Sequence, residues 1–95
     1  MDKFLMLTHY IDRMVSDSRL KPIHLSLSIA LCNEWIQNNL RAPYRVSRRL
    51  LMKASRIRSK ATYHKTMRDL QMFGYLKYVP SYHPQKASKV FLFTS

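Results

Sequence analysis

A chain of 95 residues with 46% hydrophobic content has room for one modest core, so residues 1–95 are read as a single small domain and a second is excluded. Seventeen Lys and Arg against five Asp and Glu give a formal net charge of +12, which points to a polyanionic partner. Cys32 stands alone, which excludes an intramolecular disulfide, and the N-terminal apolar patch, broken by Thr8, His9 and Tyr10, is neither a signal peptide nor a membrane span; a reducing cytoplasm is the expected compartment.

Phe4, Leu7, Ile11, Met14 and Val15 recur at helical spacing and predict a first helix over about Lys3–Ser16. A break at Asp17–Lys21 follows, and Pro22 suits the first turn of a second helix read from roughly His24 to Asn38. Leu27, Ala30, Leu31, Trp35 and Ile36 make that helix the expected centre of the core, and Asn38, Asn39 and Pro43 end it. Tyr44–Val46 reads as a short extended segment. Ser47 is an N-cap for a third helix over Arg48–Ser55 that turns Leu50, Leu51 and Ala54 inward. Ser59 offers a second N-cap, and Tyr63, Met67 and Leu70 share one face of a fourth helix, Lys60–Phe73, which Gly74 stops. Tyr75–Tyr82 and Lys89–Phe93 are rich in aromatic and β-branched residues, with a connecting turn over His83–Ser88. The fold class is mainly α with a C-terminal β-hairpin.

Between Glu34 and Asp69 there is no acidic residue, yet ten cations fall there: Arg41, Arg45, Arg48, Arg49, Lys53, Arg56, Arg58, Lys60, Lys65 and Arg68. Like charges at three- and four-residue spacing weaken a helix. A phosphate backbone compensates directly, because each cation near a phosphate releases condensed counterions. The bland alternative is a solvated face, but such faces mix both signs. The remaining acids, Asp2, Asp12, Asp17 and Glu34, lie in the first third.

The run from Ser59 to Leu76 has a capping Ser59, Thr62 three positions on, apolar Tyr63, Met67 and Leu70, and Gly74 before Tyr75 and Leu76. It resembles the recognition helix and first wing strand of winged helix-turn-helix regulators, most closely the GntR-like pattern. With Tyr82, Pro84, Ser88 and Val90 it also resembles short winged-helix proteins of bacterial mobile elements, often labelled transcriptional regulators. The turn between the third and fourth helices is one residue longer than that pattern and lacks its Gly. The resemblance implies a winged helix-turn-helix that binds double-stranded DNA in the cytoplasm, associated with the nucleoid. It also implies a possible homodimer: the first twenty residues either pack on the second helix within one subunit or join a second copy.

A rotation of about 100° per residue puts Ala61, Lys65, Arg68 and Met72 opposite the apolar stripe of the fourth helix. Lys60, Thr62 and His64 lie at its N-terminal end, where recognition helices meet base edges. The base-contact candidates are therefore Lys60, Ala61, Thr62, His64, Lys65 and Arg68, although Asp69, one turn from Lys65, allows an ordinary surface pair. The backbone candidates are Arg45, Arg48, Arg49, Lys53, Arg56, Arg58 and Ser59, with Lys77, Lys86 and Lys89 on the wing. Tyr75, Tyr78 and Tyr82 read as packing rather than as a stacking platform for single strands. His9, His24, His64 and His83 are scattered, carboxylates are few and the one glycine permits no Gly-rich loop, so no catalysis, metal or cofactor is expected. The expected function is transcriptional regulation through sequence-specific duplex binding. The alternatives are a replication or excision accessory DNA-binding protein, or a protein-interaction winged helix that meets an acidic partner.

Overall fold

The computed structural model describes residues 2–81 and 87–93. Its elements are α1 (Lys3–Ser16), α2 (Pro22–Gln37), β1 (Tyr44–Val46), α3 (Arg48–Ser55), α4 (Lys60–Met72), β2 (Leu76–Val79) and β3 (Ser88–Leu92). The three strands form an antiparallel sheet in the order β1-β3-β2. The chain is thus mainly helical with a small sheet, compatible with a winged-helix-like arrangement. Both predicted serine caps are in place: Ser47 Oγ accepts from Leu50 N and Ser59 Oγ from Thr62 N at 3.2 Å. The second helix begins at Pro22, earlier than predicted, because proline at the first position sacrifices no helical hydrogen bond. Most of the predicted turn, with Tyr82 and Lys86, lies outside the described residues. Ser88, placed in that turn from sequence, instead opens β3 and accepts from Tyr78 Oη at 3.1 Å.

Three helices end in the same way. After α2, Asn39 adopts φ 59° and Leu40 N donates back to Trp35 O at 2.9 Å. After α3, Arg56 adopts φ 64° and Ile57 N donates to Met52 O at 3.0 Å. After α4, Gly74 adopts φ 84° and Tyr75 N donates to Leu70 O at 3.0 Å. Asn39, Arg56 and Gly74 are each followed by an apolar residue that turns into the core, half-buried at Leu40, which is itself left-handed at φ 58°, and buried at Ile57 and Tyr75. The turn between α3 and α4 therefore closes without glycine, at a steric cost of roughly 1 kcal/mol for Arg56. We expect Arg56→Gly to raise unfolding stability by up to about 1 kcal/mol, less the added freedom of its unfolded chain and the loss of the Arg56 Nη1 bond to Lys53 O; denaturant titration checks the sign.

The core centres on α2, as its apolar content predicts. Leu27, Leu31 and Trp35 are buried against Leu51, Tyr63, Met67 and Leu70 of α3 and α4 and the inner sheet residues Tyr44, Val46, Leu76, Val90 and Leu92. Six apolar assignments need correction. Leu50 and Ala54 are exposed because Leu51 and Ser55, one turn apart, define the buried edge of α3 and their neighbours fall about 100° away. Ile36 is exposed beside buried Trp35 for the same reason. In α1 the buried pair is Tyr10 and Met14, while Phe4, Ile11 and Val15 face solvent.

Tyr10 enters the core because its hydroxyl has a partner, donating to Tyr75 O at 2.9 Å. The Tyr75 ring meets it edge-on with centroids 5.9 Å apart. Arg13 donates from Nη1 to Phe93 O at 2.6 Å, with its guanidinium 4.9 Å from the Tyr75 ring centroid. Tyr75 Oη donates to Asp17 Oδ2 at 2.7 Å, and Arg19 holds the same carboxylate through two side-chain bonds and its backbone N–H. The first helix is thereby clamped to the end of α4 and the hairpin.

Candidate nucleic-acid interface

The basic run folds into three pieces. Arg48, Arg49 and Lys53 lie on the solvent side of α3, Arg56 and Arg58 in the connection, and Lys60, Lys65 and Arg68 on α4. These eight, with Arg41 and Arg45, are all exposed. Among the described residues, Lys65 is the one member of the set within ion-pair distance of a carboxylate, with Nζ 3.1 Å from Asp69 Oδ2. Such an array repels itself and is relieved by an anion.

On α4, Tyr63, Thr66, Met67 and Leu70 are buried, and Ala61, Lys65, Arg68 and Met72 form the outward stripe. Lys60 and His64 are exposed at the N-terminal end, with the His64 ring 5.3 Å from that of Tyr63. Thr62 is half-buried and lines a shallow cleft between α4 and the start of α2 together with Lys21, His24, Lys65 and Asp69. Ser59 directs its hydroxyl into the helix cap, leaving its remaining hydrogen-bonding capacity to solvent or ligand.

The sheet adds a second feature. Arg45 of β1 and Lys89 of β3 are direct cross-strand partners, both exposed, on the outer side of strands whose inner side carries Tyr44, Val46 and Val90. Like charges directly opposite destabilise a strand pair. Together with Val79, Pro80, Ser81 and Ala87 they border an open groove of about 320 Å³. Lys77 is exposed on β2, which runs beside α4 and is tied to it by Tyr78 N donating to Gln71 Oε1 at 3.0 Å. Tyr75 is buried and Tyr78 half-buried, so both act as packing. Lys86 lies outside the described residues.

One contact had no sequence signal. His24, buried at the start of α2, accepts at Nδ1 from Lys21 N (2.9 Å), which leaves Nε2 to donate to Asp69 Oδ2 (2.9 Å). Asp69 thus joins α4 to α2 while pairing with Lys65. The pairing residues are 45 apart in sequence, too far for any local periodicity to register.

Two carboxylates are held below the usual range. Hydrogen bonds from Arg19 and Tyr75 hold Asp17 far down, and those from His24 and Lys65 lower Asp69. A depressed folded-state value makes each contribution complete above the unfolded value near pH 4 and lost as pH falls through the folded one. We therefore expect these two groups to leave the thermal midpoint unchanged from pH 7 to 5 and to lower it steeply below about pH 4. Asp17→Asn should flatten that fall in thermal melts.

Burial pushes the Cys32 thiol up to about 11, which suits a core residue and leaves little thiolate at neutral pH. Among the described residues no three His, Cys, Asp or Glu gather where they would hold a metal ion, and no helix is long and apolar enough to cross a membrane. Comparison with protein-family models, with curated proteins and with solved structures found no match to this chain.

Proposed function

We propose that this chain is a winged helix-turn-helix module that binds double-stranded DNA with sequence preference, as a transcriptional regulator of the kind mobile elements carry. The observation that carries the reading is the exposed cationic array on α3, its connection and α4, seven of whose eight members have no carboxylate within ion-pair distance among the described residues. The element order supports it. After α1 come a helix, a short strand, two helices and a hairpin, with the first strand joining the last, an order compatible with the scaffold in which the second of two successive helices enters the major groove. In this reading Arg48, Arg49, Lys53, Arg56 and Arg58 hold phosphates, and Lys60, Ala61, His64, Lys65 and Arg68 meet base edges. Thr62, half-buried, reaches the groove less directly. Arg45, Lys77 and Lys89 form the wing's cationic side.

The test is the salt dependence of affinity for a random duplex. Each neutralised phosphate contributes about −0.9 to the slope of log K against log salt, so six or more contacts lower affinity by roughly 10³-fold or more between about 50 and 200 mM salt. An affinity that hardly changes over that range rejects the reading and favours an acidic protein partner.

A further inference from the structure

Phe4, Ile11 and Val15 of α1 and Ile29 and Ile36 of α2 remain exposed, with Phe4 at 67%, Val15 at 72% and Ile29 at 68%. All but Phe4 line a groove of about 460 Å³ between the two helices, and Phe4 continues its α1 wall by one turn. The α1 wall, Phe4, Leu7, Ile11 and Met14, advances in steps of three, four and three. The α2 wall, Leu25, Ile29, Cys32 and Ile36, advances in steps of four, three and four. That alternation is the one by which helices interdigitate in bundles. On α2 the wall lies roughly 120° around the axis from the side that packs on α3 and α4, so the groove is separate from the cationic array.

Charge decides what the groove admits. Lys3 and Arg13 are balanced by Asp12 and Glu34 on these two helices, while the chain as a whole carries +12. Two copies approaching through α3 and α4 repel each other most strongly, and through α1 and α2, whose own charges balance, least. Area agrees. The five exposed side chains present on the order of 500 Å² of apolar surface, and a standard interface of about 800 Å² per partner, about 65% apolar between identical subunits, needs that amount.

We propose that a second copy of this chain fills the groove, the α1 of each copy lying against the α2 of the other in a two-fold four-helix arrangement. The proposal does not rest on DNA binding, and its test contains no DNA. Sedimentation velocity on the nucleic-acid-free protein, from about 1 to about 100 μM, is expected to give twice the 11.4 kDa chain mass at the upper end. Ile29→Glu and Val15→Glu, both at exposed positions, are expected to weaken association at least about 100-fold with helical circular dichroism retained. If a variant loses its helical signal, the wild-type thermal midpoint decides, because it rises with protein concentration for a dimer and is constant for a monomer. A monomer at every concentration overturns the proposal and leaves the groove to a helix of another protein. A dimer indifferent to both substitutions also overturns it, since another surface then joins the copies. Failure of the DNA reading shows separately, in the salt titration.

Discussion

Replacing Arg48, Arg49 and Lys53 together by Ala is expected to lower affinity for every duplex by on the order of 10²-fold near 0.1 M salt and to make the salt slope shallower by about three. The three side chains are exposed and hold no carboxylate among the described residues, so folding stability should change by less than about 0.5 kcal/mol. Arg68→Ala should behave differently. Arg68 lies on the outward stripe of α4 with Ala61 and Lys65, where loss of a bidentate base contact costs about 1–3 kcal/mol on a preferred sequence and much less on a scrambled one. Binding of all variants to a duplex selected from a random pool and to its scrambled counterpart separates the two roles. Equal losses on both duplexes for every variant would contradict the division of α3 and α4 into positioning and reading helices.

Substitutions at Asp69 should move stability and affinity in opposite directions. It is the sole acid on α4, pairs with Lys65 and accepts from buried His24. Asp69→Ala leaves the His24 Nε2–H without its partner and is expected to cost about 1–3 kcal/mol in denaturant unfolding. The same change removes a negative charge beside the proposed groove contact and frees Lys65, so duplex affinity at low salt should rise by about fivefold, on the order of 1 kcal/mol. Asp69→Asn keeps an acceptor for His24 and should retain most of the stability while sharing the gain in affinity. A variant whose affinity falls with its stability would show that Asp69 orients α4 rather than merely diluting its charge.

Much of the fold was legible because its signals are local. Ser47, Ser59, Pro22 and Gly74 each act within a turn of the chain, and the Tyr63, Met67 and Leu70 spacing settles the inner face of α4. The outward stripe of α4 follows from that face by rotation alone. Other features were hidden because hydrophobicity does not register pairing. Tyr10 looked like an interruption of an apolar stripe, yet its hydroxyl finds a carbonyl 65 residues away and the ring goes inside. Ile11, Val15, Ile36 and Leu50 looked like core and are exposed. Arg56 looked like one more cation, although it is also the left-handed residue that turns α3 toward α4. The opposition of Arg45 and Lys89 depends on strand register, which no short window of sequence contains.

The Tyr75 carbonyl oxygen accepts from both Tyr10 Oη and Phe93 N, each at 2.9 Å. One main-chain atom thus knots the first helix and the last strand's end to the turn that leaves α4. The Tyr10 closure spans 65 residues, whose loop entropy is spent before the contact forms, whereas the Phe93 contact closes the pairing of successive strands and the turn joining α3 and α4 closes over a few residues. A chain built this way can assemble its cationic helix pair and strand pair first and draw in its first helix afterwards, so a probe placed near Tyr10 should report a later event than one placed near Phe93.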